Sequence, residues 1–360
     1  MVDLLAATAA LVDIPSVSGD EAALVAHLET ALADASWLEL TRVGDNLVAR
    51  TRLDRAQRLI LAGHTDTVPA NGNEGARIDG DRLAGLGATD MKGGLAVMLE
   101  LARTVADPAV DLTYVFYARE EVAATKSGLL ELVARRPDLL EGDAALLGEP
   151  TRSSIEAGCQ GSMRVRIVLR GFRAHPARPW MGRNALHRVG PLLAALADEP
   201  EREPVIQGCR YHEALQAVRI EGGVAGNVVP DHVELLVNHR FAPDRSPSEA
   251  EAHVHSVVAP WLEDGDEFEV VDVAGAAAPS LDHPLLATLV ARNRLDVEAK
   301  LGWTDVARFA GLGIPAANFG PGDPTIAHTA GEFVTRADLD AAFAALDDLV
   351  RRGPDAVPAP

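Results

Sequence analysis

Histidine and carboxylate side chains follow three apolar runs of the sequence, at the points where those runs end. Gly63-His64-Thr65-Asp66 ends the first run, Arg119-Glu120-Glu121 the second and Gly148-Glu149-Pro150 the third. In open α/β sheets, ligands bind outside the carboxyl ends of the strands, so three strands would deliver these side chains to one edge. One histidine with several carboxylates suits zinc, cobalt or manganese. The spacing therefore predicts a metal-dependent site at that edge.

Two further segments add candidate ligands to this set. Asp90 lies in a Gly-rich loop, residues 87–94, and His328 lies in the segment 320–328. Two histidines and at least three carboxylates exceed what one catalytic zinc binds, but they can hold two ions about 3.5–4 Å apart that share a carboxylate. The adjacent pair Glu120-Glu121 suits a division of labour, in which one carboxylate binds metal and its neighbour moves a proton.

Each of these motifs has a purely structural interpretation when it is taken alone. A His-x-Asp triplet can be a hydrogen-bonded loop, a Glu-Glu pair an exposed helix start and a Gly-Glu-Pro triplet a turn. The Gly-rich loop lacks the Gly-Lys-Ser/Thr ending of a phosphate-binding loop. The motifs occur together and in order, each after an apolar run, and this combination favours a catalytic site.

Alternating strands and helices must position these residues. Strands are predicted over 58–68, 112–118 and 143–148, with helices between them, which is typical of a sheet covered on both faces. From Ser162 the pattern becomes strand, helix, strand, strand, helix, strand, which matches a ferredoxin-like α+β motif. We therefore predict an α/β catalytic domain with a covered mixed sheet, formed by residues 1–161 and 280–360. A ferredoxin-like insert at 162–279 would serve as a dimerisation or lid domain.

Composition excludes several other classes of protein. The 360 residues predict about two domains. There are 33 Lys and Arg residues against 53 Asp and Glu, a net charge of −20, which disfavours nucleic acid and anionic lipid as partners. No apolar run approaches the roughly 20 residues that cross a bilayer. Two cysteines, and no Lys or Arg before Arg42, indicate a reduced, cytoplasmic protein without a secretory signal.

The ordered motifs resemble a known family. His64-Thr-Asp66, Gly-Ala-Thr-Asp90-Met-Lys-Gly-Gly, Glu120-Glu121, Gly-Glu149-Pro-Thr and His328 are similar to the motifs of the dinuclear-zinc aminoacylase and carboxypeptidase family. Its members are deacylases and exopeptidases that cleave amide bonds next to a carboxylate. The resemblance covers nearly the whole chain. The stretches 170–178, 222–230 and 300–309 are most similar to the actinobacterial desuccinylase branch of the family.

The resemblance implies a role for each matching residue of the metal site. His64 and Glu149 would bind one zinc, Glu121 and His328 would bind the other, and Asp90 would bridge the two. Asp66 would hold the His64 imidazole, and Glu120 would act as general base and acid. The implied cofactors are thus two zinc ions, with cobalt as a substitute. Family members also carry a cis peptide bond at the position of Asp90-Met91.

The insert would contribute residues that contact the substrate. By resemblance, His175 would donate to the oxyanion in the active site of a partner subunit, which implies a homodimer. Arg240 and Asn227 would hold a substrate carboxylate, for which a guanidinium fork is well suited. Arg178, on the same loop as His175, is a weaker candidate. Without the resemblance, His175 would be interpreted as a surface histidine and Arg240 as a solvated strand end.

The resulting expectation is hydrolysis of a small N-acyl amino acid, N-succinyl-L,L-2,6-diaminopimelate, in lysine and diaminopimelate biosynthesis. Alternatives are an acetylornithine deacetylase, another N-acyl amino acid deacylase or carboxypeptidase, and a metal-binding relative without catalysis. Retention of Glu120 beside a full ligand set argues against the last, because binding alone needs no free base. Two departures leave the substrate open: Gly331 stands where relatives often have an acid, and Leu86 where they often have arginine.

Overall fold

The computed structural model describes residues 2–355 as strands and helices joined by short loops. Within these residues, helices α1 to α9 span Leu4–Val12, Ala22–Leu32, Gly93–Thr104, Gly128–Arg135, Ala185–Ala197, Pro247–Val258, Pro284–Asn293, Val306–Gly311 and Arg336–Arg352. Strands β1 to β17 span Glu39–Val43, Asn46–Arg50, Arg58–His64, Arg77–Asp79, Arg82–Ala84, Asp111–Tyr117, Ala144–Leu147, Ile155–Ala157, Gly161–Arg170, Val205–Ile206, Cys209–Arg210, Ala214–Gly222, His232–Phe241, Glu267–Ala274, Val297–Ala299, Ala316–Asn318 and Phe333–Thr335.

A mixed, eight-stranded sheet forms the centre of the first compact unit. Its order is β1-β2-β6-β3-β7-β16-β8-β15. The four central strands β6, β3, β7 and β16 are parallel to one another. Every residue of β6 and β7 is buried. Since successive side chains of a strand point to opposite faces, the sheet is covered on both faces there. This explains why these strands appear in the sequence as continuous apolar runs.

Local sequence signals set the ends of the helices in this unit. Asp3 caps α1 by accepting hydrogen bonds from the backbone amides of Leu5 and Ala6, and Thr335 with Asp338 forms a capping box at the start of α9. A small sheet of β4, β5 and β17 joins the segment before the Gly-rich loop to the segment after His328. Asp90 and His328, which are far apart in sequence, therefore lie next to segments that are linked by backbone pairing.

The second compact unit comprises Gly158–Pro279 and Ala299–Ala307. Its four-stranded antiparallel sheet has the order β12-β13-β9-β14. Helices α5 and α6 pack on one face, and their buried side chains form a core with alternate residues of the strands, including Val165, Ile167, Val189, Val237 and Val254. The opposite face carries ion pairs, such as those of Arg166 with Glu267 and Glu269.

The bounds of this unit differ from the expected insert, residues 162–279. It begins four residues earlier, and residues 299–307, which were assigned to the catalytic domain, belong to it. Hydrogen bonds account for the difference: the Gln160 amide donates to the Lys300 carbonyl at 3.1 Å, and Trp303 Nε1 donates to the Gly275 carbonyl at 3.1 Å. Such pairing joins segments far apart in sequence, so no local pattern marks it.

The predicted elements have shifted ends in the structure. The strand expected over 58–68 ends at His64, and the helix expected to follow the apolar run 112–118 begins only at Gly128. The Glu-Glu pair consequently lies in a loop. Among residues 2–355, no helix combines the length and the apolar character needed to span a bilayer.

Candidate active site

Four parallel strands end at the same edge of the large sheet, and each is followed by candidate site residues. His64 is the last residue of β3 and pairs in register with Tyr117, the last residue of β6. Glu120 and Glu121 follow β6, Glu149 follows β7, and the segment leading to His328 follows β16. Asp90 lies in the irregular turn before α3. The carboxyl edge of the sheet therefore gathers the side chains that the motif spacing predicted would meet.

The distances define a compact cluster of nitrogen and oxygen atoms. His64 Nε2 lies 3.1 Å from Asp90 Oδ1, and His328 Nε2 lies 3.3 Å from Asp90 Oδ2. His328 Nε2 is also 2.7 Å from Glu121 Oε1. One ligand atom from each of His64, Asp90 and Glu121 lies within 4.8 Å of the others. Asp90 thus faces an imidazole on each of its two carboxylate oxygens, the arrangement expected of a bridging residue.

Electrostatics show how strongly this cluster attracts positive charge. Hydrogen bonds to Asp90 and Glu121 raise the pKa of His328 to about 10. Burial lowers the pKa of His64, but Asp66 and Asp90, with the charge of Glu149, raise it well above its usual value. The pKa of Asp90 is well below its usual range, because the two imidazoles outweigh the effect of burial. A field that favours protonated imidazole equally favours a divalent cation among the same groups.

The donor set fits such a cation. Imidazole nitrogens and carboxylate oxygens together are the ligands that zinc and related ions prefer. Glu149 is buried, and its charge raises the pKa of His64, which lies on one side of Asp90. Glu121 contacts His328 on the other side. This division into two halves around Asp90 agrees with a pair of ions.

Asp66 connects the two halves of the site through its carboxylate. Oδ1 accepts a hydrogen bond from the Glu120 amide at 2.9 Å, and Oδ2 accepts one from the Glu121 amide at 3.1 Å. The Ser18 hydroxyl also donates to Oδ2, at 2.7 Å. Burial would raise the pKa of Asp66, but the His64 imidazole and these donors hold it at about 2. Asp66 is therefore an ionised anchor for the Glu-Glu loop.

The contact of Asp66 with His64 runs largely through the backbone. His64 Nδ1 lies 3.0 Å from the backbone carbonyl oxygen of Asp66 and 3.6 Å from its Oδ1. Both acceptors favour a proton on Nδ1, and Nε2 faces Asp90. The Asp90–Met91 peptide bond is cis, as the family resemblance implies.

The loop that carries Glu120 and Glu121 has further anchors that the sequence did not reveal. The Asn46 side chain accepts a hydrogen bond from the Ala118 amide at 3.0 Å. Arg119, with φ of 62°, pairs with Glu131 at 3.0 Å and donates to the Lys126 carbonyl. These contacts fix the backbone on both sides of the pair, while Glu120 itself stays half-buried and accessible.

Three other residues near the cluster had no predicted role. Ser18 lies in the stretch 16–19, which interrupts the helix-like periodicity of residues 2–35, and that break was its only signal in the sequence. The Lys92 ammonium donates to the Ile14 carbonyl at 2.7 Å, and burial lowers its pKa to about 8. Glu332 is buried against the backbone of the Gly-rich loop. The only feature of the sequence that connected Glu332 with the site was its position four residues after His328.

The candidates of the insert lie in the second unit. His175 is exposed, and its Nδ1 accepts a hydrogen bond from the Ala177 amide at 3.1 Å. The Val229 amide donates to the Ala174 carbonyl, so the loops that carry His175 and Asn227 are held together. Asn227 and Arg178 are exposed as well.

Arg240, near the end of β13, pairs in register with Ser162 and Ala214. It lies on the opposite face of the sheet from the buried Val237 and His239, because side chains alternate along the strand.

Comparisons with known proteins agree with this architecture. Residues 60–352 match the sequence profile described as Peptidase family M20/M25/M40. The chain belongs to this family of metallohydrolases.

Among its relatives is succinyl-diaminopimelate desuccinylase of Corynebacterium glutamicum, 43% identical over 332 residues that cover 91% of this chain and 90% of the relative. A protein of Mycobacterium tuberculosis with the provisional name succinyl-diaminopimelate desuccinylase DapE is 49% identical over 353 residues, 97% of each chain.

Solved structures with the same fold come from more distant relatives. Aminopeptidase PepT from Bacillus cereus has a TM-score of 0.79 at 20% identity, covering 97% of both chains. The M20 family metallo-carboxypeptidase Sso-CP2 from Sulfolobus solfataricus has a TM-score of 0.78 at 16% identity, covering 98% of this chain and 99% of the other. At such low identity these likenesses establish the fold alone.

Proposed function

We propose that this chain hydrolyses N-succinyl-L,L-2,6-diaminopimelate to succinate and L,L-diaminopimelate, a step of diaminopimelate and lysine biosynthesis. The observation that carries the proposal is the identity of 43–49% to actinobacterial desuccinylases over at least 90% of the chain. The close grouping of His64, Asp90, Glu121 and His328 supports the same chemistry. The reaction breaks one amide bond, and water supplies the hydroxyl of the acid and a proton of the amine.

The metal ligands in this proposal are the residues of the compact cluster. His64 and Glu149 would hold one zinc, Glu121 and His328 the other, and Asp90 would lie between them. Cobalt is expected to substitute. Bound there, the ions would polarise the scissile carbonyl and lower the pKa of a water molecule. In support, a bridging position is consistent with the imidazoles that lie at 3.1 and 3.3 Å from the two oxygens of Asp90.

Proton transfer is assigned to Glu120. Its backbone is fixed by Asp66, while its half-buried side chain remains accessible to substrate and water. Glu120 would take the proton of the attacking water and return it to the nitrogen of the leaving amine. Both transfers need one carboxylate that is not consumed by metal binding, which is the role left open beside Glu121.

The second unit would recognise the substrate. We assign a hydrogen bond to the developing oxyanion to His175, and binding of a substrate carboxylate to Arg240 and Asn227, with Arg178 as a weaker contributor. The backbone bond between Val229 and Ala174 supports joint action of the His175 and Asn227 loops.

We also infer that the second unit is a ferredoxin-like insert and that it joins two copies of the chain across a two-fold axis. Strand β12 lies at the edge of its sheet, and Val218 and Ile220 on this strand are 55% and 48% exposed. An open strand edge with apolar side chains is best covered by a second copy of itself. His175 would then act in the active site of the partner subunit.

A cytoplasmic location completes the proposal. Cys159 and Cys209 are both buried and free of disulfide bonds, which supports a reducing compartment.

The test combines metal removal with a panel of substrates. Chelation should abolish hydrolysis of N-succinyl-L,L-2,6-diaminopimelate, and zinc or cobalt should restore it. The panel adds N-acetylornithine and other N-acyl amino acids, and the succinylated substrate should have the highest kcat/KM. Full activity of protein shown by elemental analysis to be metal-free would overturn the mechanism. A preference for N-acetylornithine would replace the substrate assignment, and no hydrolysis of any substrate would favour a binding protein.

A further inference from the structure

Glu332 is a buried carboxylate surrounded by backbone amides of the Gly-rich loop. Its side chain is only 2% exposed. Oε2 accepts a hydrogen bond from the Gly87 amide at 3.0 Å, and Oε1 accepts bonds from the amides of Thr89 and Asp90, each at 3.0 Å. Three backbone donors of one short loop thus converge on one side chain, and the last of them belongs to Asp90, the residue at the centre of the metal cluster.

Further hydrogen bonds tie this loop to the segment that carries Glu332. Gly87 has a φ of 75°, a left-handed conformation that suits glycine, and residues 88–92 form an irregular turn. The Thr89 hydroxyl donates to the Phe333 carbonyl at 3.0 Å, which again connects the loop to the segment around Glu332. The Gly85 amide donates to the Glu332 carbonyl. Residues 332 and 333 therefore hold the Gly-rich loop through both side-chain and backbone acceptors.

The same segment carries His328 at its other end. The Glu332 amide donates to the Thr329 carbonyl, and the Asn73 side chain donates to that same carbonyl at 3.2 Å. Gly331 is exposed whereas Glu332 is buried, so an acid at position 331 would face solvent and could not replace these bonds. One turn of chain therefore links the residue that faces Asp90 directly, His328, to the residue that holds the Asp90 backbone.

We propose that Glu332 is a positioning residue for the metal site, which sets the Asp90 carboxylate between His64 and His328 by holding the backbone of residues 87–90. Glu332 touches neither substrate nor metal ligand side chains in this scheme and acts only through the loop. Outer partners of metal ligands are known to govern metal affinity, since they fix the orientation of the ligand before the ion arrives. The inference rests on the proposed metal site of the preceding section.

Two substitutions remove the support in steps. Glu332→Gln keeps the volume of the side chain. The NH2 group of its amide cannot accept a hydrogen bond, however, so it must face at least one of the three backbone N–H donors without bonding to it. Glu332→Ala removes all three acceptors. We expect zinc binding to weaken by about tenfold in the first variant and by about a hundredfold in the second. The measurement is calorimetric titration of metal-free protein with zinc chloride, with a competing chelator, and it requires no substrate.

Glu213→Gln is the matched control. Glu213 is also a buried carboxylate, 8% exposed, and it accepts a backbone hydrogen bond from Ala242 at 2.9 Å and pairs with Arg202 and Arg245. It belongs to the second unit, whereas all of the proposed metal ligands belong to the first. This variant should lose thermal stability without any change in zinc affinity.

The outcomes separate this inference from the proposed function. If the unmodified protein binds no zinc, both the metal site and this inference are overturned. If it binds zinc and folded Glu332→Gln binds with an affinity within twofold of it, the inference alone is overturned. Equal weakening in Glu213→Gln would also overturn it, because the effect would then reflect general destabilisation. Should Glu332→Ala fail to fold, the Gln variant decides by the same criterion.

Discussion

At the scale of single residues, Asp66 shows how one side chain can serve several parts of the site. Its carboxylate accepts hydrogen bonds from the backbone amides of both Glu120 and Glu121, and its backbone carbonyl oxygen faces His64 Nδ1. Charged acceptors form the stronger class of hydrogen bond, and burial strengthens them further. The position of the Glu-Glu pair is therefore fixed through its two backbone amides rather than through its carboxylates.

The first prediction concerns these two carboxylates. Glu120→Gln should retain bound metal and lower kcat by roughly 100-fold or more, the magnitude of general-base catalysis. Glu121→Gln should instead lower the metal content, because Glu121 contacts His328 within the cluster. Elemental analysis and steady-state kinetics of both variants provide the measurement. An exchange of the two phenotypes between the variants would contradict the assignment.

At the scale of secondary structure, helix α3 begins where it touches the end of β7. A Cβ atom built on Gly94 would lie 2.2 Å from the Gly148 carbonyl oxygen, next to Glu149. Only a residue without a side chain lets the helix approach the strand so closely. The contact brings the loop that carries Asp90 and the strand that precedes Glu149 to the same edge of the sheet.

The second prediction follows from this contact. Gly94→Ala should lower the free energy of unfolding by about 1–3 kcal/mol, the usual cost of overpacking. The control is Gly311→Ala in α8, where nothing lies within 4 Å of the added Cβ atom. That change should be neutral or stabilising by up to about 1 kcal/mol. Urea denaturation of both variants measures the difference, and similar losses would contradict the steric argument.

Strand β13 carries a buried histidine on the core face of the second unit. His239 is 1% exposed, its Nδ1 lies 3.2 Å from the Ala214 carbonyl oxygen, and its Nε2 has no hydrogen-bond partner among the described residues. Burial lowers its pKa to about 4, although nearby Glu213 acts in the opposite direction. The folded protein therefore keeps this imidazole neutral well below the usual pKa of histidine.

The third prediction is the resulting pH dependence. In the unfolded chain His239 takes up a proton near pH 6.5, whereas in the folded protein it does so only near pH 4. Between these values the unfolded state binds more protons, so stability must fall as the pH falls, by up to about 3 kcal/mol. His239→Leu should flatten this part of the profile. Unfolding free energies at pH 7, 5.5 and 4.5 test it, and parallel profiles for variant and unmodified protein would refute it.

At the scale of the whole molecule, the proposed dimer has a consequence that can be measured. Glu120 and His175 would come from different subunits at each active site. A mixed dimer of Glu120→Gln and His175→Ala subunits would then have one site with both defects and one site with neither. If both inactive proteins are mixed in equal amounts and exchange at random, half of the dimers are mixed.

The fourth prediction is therefore recovery of roughly a quarter of normal activity after subunit exchange, since each mixed dimer regains one of its two sites. The control is either variant incubated alone, which should stay inactive. Exchange is verified by mass spectrometry of tagged subunits. No recovery despite verified exchange would exclude action of His175 in the partner's site. A monomer by light scattering would remove the premise.

Much of the candidate site followed from local sequence. The order His64, Asp90, Glu120-Glu121, Glu149 and His328, with each strand-end motif directly after an apolar run, predicted that these residues meet at the edge of a sheet. That inference is sound because parallel strands buried on both faces are apolar throughout and share one carboxyl edge. The alternation in β9 and the order of elements after it likewise indicated a separate, smaller unit.

The tertiary structure alone decided what holds those residues in place. Gly87 and Glu332 are hydrogen-bonded although 245 positions separate them, and Ser18 donates to Asp66 across 48 positions. Residues 299–307 pack with the second unit through the same kind of distant pairing. Periodicity and motif spacing report on neighbours within one or two turns of chain. Buried carboxylates instead satisfy whichever amides the folded backbone brings to them, and only the three-dimensional path of the chain determines which amides these are.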